Sequence, residues 1–468
     1  MQESTELKRS LKARDIWCLA LGAMIGFGCF VLPGNSFLPK AGPLGTALGL
    51  IIGAGMVMIV SVSFSYLIQQ MPKSGGSFLY AAALFGKGHG FILGWFLILT
   101  YWSLVPLNAT ALGLIGRNLF PGILQQCYLY NIAGFDVYLG EVCVALFFIV
   151  GVAWVNLRGA ESAGWMQTII TFSLVGSVLL VAAGVLFSGA QLSHLKPAFP
   201  VGVSGFQAVF AIVAMAPWAF IGFDCIPQAA EEFNFPPKRA LKIMLTAIVV
   251  ASLMYITVNT ATAVVRPWHE ILKEDWATGA AIKDVLGNFG LVFIGIAMLC
   301  AVLSGMNAFL LSASRLFYAM SSVDAIPIWF GKVDSRTGVP RNAIILLTLL
   351  ALAAPFLGRQ VINWIVDMTS VGASLSFAYA CAAALKLARQ RGEKRQEVIA
   401  ATGLLVSVFF LGLLLIPGAP GFLSVPSLCA LLFWTVSGFV IFYVTRKQYY
   451  ASRKLDEVLN NDLKDRNE

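Results

Sequence analysis

Two glycine-interrupted apolar stretches hold the residues best placed to do chemistry. The first reads GAMIGFG at residues 22–28, and the second reads APWAFIGFD at residues 216–224. Glycine and proline weaken a helix, and an unpaired backbone group is costly in hydrocarbon. A break at membrane depth exposes amides and carbonyls that can bind a polar molecule. Paired breaks of this kind are typical of secondary transporters.

The first break predicts an anion site. Amides of Phe27, Gly28 and Cys29 follow Gly26 at the N-terminal end of a half helix, and this end attracts a carboxylate. Glycine at position 28 permits close approach of a ligand. The alternative is that Gly22, Gly26 and Gly28 form a small-residue face for helix packing.

Three side chains in apolar spans are further candidates. Trp218, just before the second break, is either a gate over a bound substrate or a packing residue. Asn307 either contacts substrate or makes an interhelical hydrogen bond. Asp224 either caps a half helix or serves proton coupling or substrate contact. Weaker candidates for the same pocket are Asn108, Thr110 and Thr369.

Two acids close to the second break point to an inner gate. Glu231 and Glu232 follow the break by one to two helical turns. We expect them to pair with basic residues of adjoining loops. The candidates are Lys238, Arg239 and Lys73.

The elements that position these residues are membrane-spanning helices. Hydrophobic residues make up 58% of the chain, charged residues 12%, and the mean hydropathy is +0.81. Apolar runs of spanning length recur throughout. They predict twelve spans at 15–38, 43–70, 89–118, 139–156, 163–188, 204–229, 240–264, 288–320, 343–357, 363–387, 398–416 and 424–445.

Basic residues predict the orientation, because they are retained on the cytoplasmic side. With both termini cytoplasmic, seven of the 32 basic residues fall outside, namely Lys40, Arg117, Lys196, Arg266, Lys273, Lys283 and Arg359. The net charge of +9 therefore reflects topology and gives no sign of nucleic-acid binding. The hydrophilic segment 265–287 predicts a short helix on the outer membrane surface, contributing to an external gate.

Four motifs in chain order resemble those of one transporter superfamily. They are GFGCF at 26–30, PKSGGSFLY at 72–80, FIGFD at 220–224 followed by AEEFN at 230–234, and LSASRLFYAM at 311–320 followed by TGVPRN at 337–342. On these motifs the chain is identified as a member of the amino acid, polyamine and organocation superfamily, in its amino acid permease branch. The resemblance covers roughly residues 15–390.

The resemblance implies an all-α integral membrane protein with the leucine-transporter fold. Two inverted five-helix repeats would occupy 15–188 and 204–387, with two added helices at 398–445, an N-terminal cytoplasmic segment at 1–14 and a cytoplasmic tail at 446–468. Family members also imply that carbonyls of Met24, Trp218 and Ile221 accept hydrogen bonds from an ammonium near Gly222. An aromatic gate in this segment of the family favours the gate interpretation of Trp218.

Energy coupling is left open. Some proton-coupled relatives carry a lysine in the fifth helix, and alignment places Ser173 there. The absence of that lysine leaves room for a sodium ion bound by oxygens of Ser173, Ser304 and the first helix. Sodium symport, proton symport through Asp224 or Glu231, and exchange all fit, and no other cofactor is indicated.

The predicted substrate is a small neutral amino acid carried across a bacterial cytoplasmic membrane. The proposed pocket has no acid or base beyond Asp224, and Phe27 would narrow it. An amine such as ethanolamine or a polyamine is the alternative if Asp224 reaches the site. A non-transporting nutrient sensor is the alternative of another class, and we expect it to need a signalling domain. No catalytic constellation predicts an enzyme, and nothing predicts the oligomeric state.

Overall fold

The chain folds almost entirely into helices. The structure, a computed structural model, describes residues 7–132, 134–274 and 276–458, apart from the side chains of residues 359–363, 365 and 366. Residues 1–6 of the predicted N-terminal segment, residue 275 of the predicted outer segment, residues 459–468 of the predicted tail and the side chain of Arg359 therefore lie outside the described residues.

Regular elements are numbered in chain order. They are α1 (Ala13–Ile25), α2 (Gly28–Leu32), α3 (Leu38–Gln70), α4 (Ser77–Phe85), α5 (Lys87–Leu119), β1 (Tyr128–Ile132), β2 (Phe135–Tyr138), α6 (Leu139–Leu157), α7 (Ala160–Phe187), α8 (Gly205–Val213), α9 (Ala216–Ala219), α10 (Ala240–Val264), α11 (Trp268–Ile271), α12 (Ala277–Ser322), α13 (Arg341–Ala353), α14 (Gly358–Arg391), α15 (Lys394–Leu415) and α16 (Val425–Ala451).

The described residues include nine helices long and apolar enough to cross a membrane, and Arg341–Leu357 is a shorter apolar helix. The predicted spans 15–38 and 43–70 fall within one of the nine, Ala13–Gln70, which bends at Gly42 where φ is 64°. The predicted span 204–229 is divided into shorter pieces. A multi-pass helical membrane protein is thus confirmed, while the count of twelve and the cytoplasmic termini stay predictions.

The two expected breaks are present. At Gly26 φ is 39°, between α1 and α2, and at Gly222 φ is 133°, after α9. Both values lie where glycine is favoured over other residues. After the second break the chain forms 3-10 turns at Phe223–Cys225 and Pro227–Glu232 rather than the expected α-helix. Proline cannot donate the backbone hydrogen bond that an α-helix needs at residue 227.

An antiparallel hairpin modifies the all-α prediction. Strand β1 pairs with β2, with Tyr128 opposite Tyr138 and Ile132 opposite Phe135. Asn131 and Asp136 lie opposite each other on the two strands, and Asn131 Nδ2 donates to Asp136 Oδ1 at 2.7 Å. Aromatic residues favour extended strands. Because this segment lies between predicted spans, its edges do not have to face hydrocarbon.

Packing places α1 at the centre of the bundle, where it contacts α7, α10 and α12. By contrast, α16 is mostly exposed, and its buried residues are Ser427, Gly438 and Tyr449. It is held to α5 by reciprocal bonds, since the indoles of Trp95 and Trp434 each donate to the other residue's carbonyl, at 2.9 and 3.2 Å. The central helix, which ends at the first break, is therefore far more enclosed than α16.

Candidate functional site

The two breaks lie side by side. A Cβ placed on Gly222 would come within 2.6 Å of Ala23 Cβ and 2.8 Å of the Met24 backbone nitrogen. No side chain fits in that gap, so the two unwound backbones touch directly. The positive φ of Gly222 adds a second requirement for glycine.

Polar groups at the first break come from two neighbouring helices. The Phe27 amide donates to Asn108 Oδ1 of α5 at 3.4 Å, and the Tyr255 hydroxyl of α10 donates to the Met24 carbonyl at 3.0 Å. Amides in the first turn of a helix have no acceptor within that helix, which applies to Gly28 and Cys29. The first break thus presents the amides of Gly28 and Cys29 as hydrogen-bond donors, close to the Met24 carbonyl, which already accepts from Tyr255.

Trp218 covers these amides. A Cβ on Gly28 would lie 2.3 Å from Trp218 Cη2, and the rings of Trp218 and Phe27 meet edge to face with centroids 6.1 Å apart. The indole of the second break therefore rests on the backbone of the first. Its own carbonyl accepts from the Ile221 amide at 3.4 Å. This placement is compatible with a gate.

Asp224 is fully buried, and both of its carboxylate oxygens have donors. The Gly222 amide donates to Oδ1 at 2.8 Å, and the Tyr101 hydroxyl donates to Oδ2 at 2.8 Å. Gln228 Nε2 in turn donates to the Tyr101 oxygen at 3.3 Å. These are the bonds of a cap on the broken backbone.

Asn307 belongs to an interhelical network away from the breaks. Its Oδ1 accepts from Asn156 Nδ2 of α6 at 2.8 Å, and its Nδ2 donates to the Ala163 carbonyl and to Gln167 Oε1 of α7, at 3.1 and 2.8 Å. Both amide hydrogens are therefore engaged within the protein. Asn307 therefore makes the interhelical hydrogen bonds that were the alternative to substrate contact, whereas the weaker candidate Asn108 lies at the break.

The structure does not bring together Ser173 and Ser304, the two serines predicted to supply oxygens to a sodium ion. Ser173 is exposed on the outer face of α7, whereas Ser304 is fully buried. Two other residues of α7 meet Ser304: Gln167, whose Nε2 donates to Ser304 Oγ and to the Cys18 carbonyl at 3.0 Å, and Thr171, whose hydroxyl lies 3.4 Å from Ser304 Oγ. Neither residue was among the predicted site residues, although a glutamine inside an apolar span is itself a signal.

A buried ion pair lies on the side that is predicted to be cytoplasmic. Glu232 binds Arg315 of α12 at 2.6 and 3.0 Å, and both side chains are at most 1% exposed. The expected partners Lys238 and Arg239 are not the ones used by Glu232. Glu231 accepts hydrogen bonds from the Ser74 amide at 3.3 Å and from the Tyr318 hydroxyl at 3.5 Å. The geometry is therefore compatible with an inner gate at these acids. The basic partner of Glu232 is Arg315 of the eighth predicted span, not a loop residue.

The segment before α1 reinforces this closure. The amides of Ser10 and Leu11 donate to the Glu232 carbonyl at 3.1 and 3.0 Å, and the Asn234 amide donates to the Leu11 carbonyl at 2.9 Å. This backbone pairing ties the chain just before the first broken helix to the end of the second. A movement of one inner end must therefore involve the other.

On the opposite side, the outer segment packs on the first helix. Trp276 Nε1 donates to the Phe30 carbonyl at 2.9 Å, and a Cβ on Gly34 would lie 2.6 Å from Ala277 Cβ. The start of α12 up to its bend at Gly287 thus lies directly against the outer half of the first helix. This is the position expected of an external gate.

Comparison with known proteins gives a consistent result. A family model described as amino acid permease matches residues 11–444. The branched-chain amino acid permease BcaP of Lactococcus lactis is 26% identical over 411 residues, 83% of each chain. The histidine permease HisP of the same species is 27% identical, covering 81% of this chain and 79% of its own, and the lysine-specific permease LysP of Escherichia coli is 26% identical, covering 79% and 76%.

Proposed function

The chain belongs to the amino acid permease family of the amino acid, polyamine and organocation superfamily, and we propose that it carries a small neutral amino acid across a bacterial cytoplasmic membrane by alternating access. The observation that carries the proposal is the direct contact of the two broken backbones at Gly222 and Met24, beneath the indole of Trp218. Contact between two breaks places several backbone dipoles at one point.

The proposed architecture is that implied by the resemblance. Twelve spans would form two inverted repeats at 15–188 and 204–387, with helices at 398–445 added and both termini cytoplasmic. Support comes from the position of each break in the first predicted span of its repeat. The mostly exposed α16 agrees with an added outer helix.

In the proposed complex the substrate bridges the breaks. Its carboxylate accepts from the amides of Gly28 and Cys29, where the helix dipole adds to the attraction. Its ammonium donates to carbonyls at the ends of the other half helices, with Ile221 as the first candidate because Met24 and Trp218 already have donors. Trp218 would move aside to admit the substrate and then close over it.

A neutral side chain fits the charges of this region. Asp224 accepts hydrogen bonds at both oxygens, from Gly222 and Tyr101, and is 0% exposed. Turning the carboxylate away from these two donors toward a second ammonium would leave buried donors unpaired, which costs free energy. Phe27 and Trp218 fill the adjoining space, so a small side chain is favoured.

The carboxamide of Gln167 argues against sodium at Ser304. Its Nε2 donates to Ser304 and to the Cys18 carbonyl, the oxygens that a sodium ion would need. A cation would have to displace this donor and find further oxygen ligands in its place. We therefore propose transport without a sodium ion bound between α1, α7 and α12.

The test is uptake by the purified chain in proteoliposomes. A panel of labelled neutral, basic and acidic amino acids, ethanolamine and putrescine would be presented under sodium and proton gradients imposed separately. Accumulation or exchange of small neutral amino acids is the expected result. Uptake of the amines alone would favour the amine alternative, and binding without uptake or exchange would favour a sensor.

A further inference from the structure

A cavity of about 230 Å³ lies beside the outer half of the first helix. A single water needs only about 10–15 Å³, so the space is large enough for a small organic molecule. Its walls come from the first helix, α5, the hairpin, α6 and the chain before α14. Apolar side chains such as Val31, Leu114 and Val142 line much of it.

One charge of each sign faces this cavity. Arg117 binds Glu141 through Nε at 2.5 Å and Nη2 at 2.9 Å, and the two side chains are 27% and 11% exposed. Arg117 also donates to the Asp136 carbonyl at 3.2 Å, and its guanidinium carbon lies 4.9 Å from the centre of the Phe135 ring. The hairpin thus positions the guanidinium between a backbone carbonyl and two aromatic rings, since its carbon also lies 5.6 Å from the centre of the Tyr138 ring, and the side chain stays 27% exposed.

An ion pair of this kind complements a zwitterion. The carboxylate of an α-amino acid can bind the guanidinium while its ammonium binds the carboxylate of the pair, so that four charges alternate in sign. Charge-assisted hydrogen bonds of both kinds are stronger than neutral ones. A basic or acidic substrate brings one charge more, which the pair does not balance.

We propose that this cavity, lined by Arg117 and Glu141, is an outer binding site where a neutral α-amino acid zwitterion is held before it reaches the two breaks. The proposal rests on the proposed function. The position of the cavity fits a site that substrate occupies before the breaks. Val31 in its wall is three residues beyond Gly28, about 4.5 Å along a helix, and Thr110 in its wall is two residues beyond Asn108. Both wall residues therefore stand next to residues of the first break.

The test compares single neutral substitutions of the pair. Uptake of L-alanine would be measured for Arg117→Gln and Glu141→Gln, with L-lysine and L-glutamate as competitors. Arg389→Gln is the matched control. Arg389 also forms an ion pair, with 2.9 Å between its Nε and Glu397 Oε1, but this pair does not line the cavity.

Each substitution should raise the KM for alanine about tenfold with little change in the maximal rate, the effect of losing one charged hydrogen bond. The competitors distinguish binding from a structural role. Arg117→Gln leaves a negative charge, so lysine should compete better, whereas Glu141→Gln leaves a positive charge, so glutamate should compete better. The control should change neither competition nor KM. Equal loss of uptake in both variants with unchanged competition would overturn the outer site.

Failure of this site is separable from failure of the proposed function. A wild type that takes up no alanine contradicts the proposed function, whereas normal uptake without the opposite shifts contradicts only the outer site. Thermal unfolding would check each variant. If Arg117→Gln does not fold, Arg117→Lys retains the charge without the two-point contact, and it should raise the KM by less than Glu141→Gln does.

Discussion

Gly28 and Trp218 share the space at the centre of the proposed site. The indole lies where a Cβ of residue 28 would have to go, with 2.3 Å between them. Substituting Gly28 with alanine must displace the ring from the amides. In the proposed mechanism, the packing of this indole on this glycine is the contact that closes the site over the substrate.

We expect Gly28→Ala to reduce amino acid uptake at least about tenfold, since it removes about 1.4 kcal/mol or more of productive binding. The matched control is Gly55→Ala in α3, where no atom lies within 4 Å of the added Cβ. Uptake at equal protein in the membrane is the measurement. Equal activity of the two variants would remove Trp218 from the proposed mechanism.

Asp224 gives a prediction that separates a cap from a proton carrier. In Asp224→Asn the side chain can still accept from the Gly222 amide, so uptake should stay within about threefold of wild type. Asp224→Ala leaves that buried amide unpaired and should destabilise the protein by about 1–3 kcal/mol. Uptake driven by an imposed proton gradient is the measurement. Its loss in the asparagine variant, with stability unchanged, would make Asp224 the proton carrier.

At the residue level, the sequence predicted backbone positions better than side-chain directions. The glycines of both breaks were predictable because few other residues accept their conformation. Ser173 was placed in the right helix but on the wrong face, since residues two apart point about 200° apart. The lipid surface and the interior both accept serine, so composition alone could not distinguish Ser173 from Thr171.

The end of the second broken helix is joined to α12 by the ion pair of Glu232 and Arg315. Removing one partner of a buried ion pair costs about 3–5 kcal/mol because the other charge is left unpaired. If the pair forms the proposed inner gate, that cost falls on the state that is closed toward the cytoplasm. The backbone pairing of Leu11 and Asn234 supports the same closed state.

We therefore expect Arg315→Gln to reduce uptake at least about tenfold by destabilising that closed state. Exchanging the two charges, with Glu232→Arg and Arg315→Glu together, should recover part of the loss. Access of a membrane-impermeant reagent from the cytoplasmic side should increase in the single variant. Unchanged access and uptake would mean that this pair is not a gate.

Element type was predictable where the membrane dictates it and less so elsewhere. Apolar runs of spanning length must form helices in hydrocarbon, and the predicted spans from 89–118 to 163–188 overlap α5, α6 and α7 closely. The hairpin of β1 and β2 lies between spans, where water can satisfy an open strand edge. The 3-10 turns beyond Gly222 depend on Pro227 and on tertiary contacts that periodicity does not reveal.

For the whole molecule, the network around Gln167 bears on the energy source. It joins α7 to Cys18 of α1 and Ser304 of α12 without a titratable group. We expect replacement of sodium by choline to change amino acid uptake less than about twofold, corresponding to less than RT in free energy. Uptake with each cation at constant pH is the measurement. Strict dependence on sodium would require an ion site elsewhere or a displaced Gln167.

The measurement that tests the central claim most directly is counterflow of labelled L-alanine into vesicles preloaded with unlabelled L-alanine. Competitors would be L-serine, which retains both charged groups, and L-alanine methyl ester and ethylamine, which lack the carboxylate. Binding of the carboxylate by the amides of Gly28 and Cys29 predicts saturable counterflow that serine inhibits and the other two do not. Inhibition by ethylamine and the ester as strong as that by serine would contradict the proposed site.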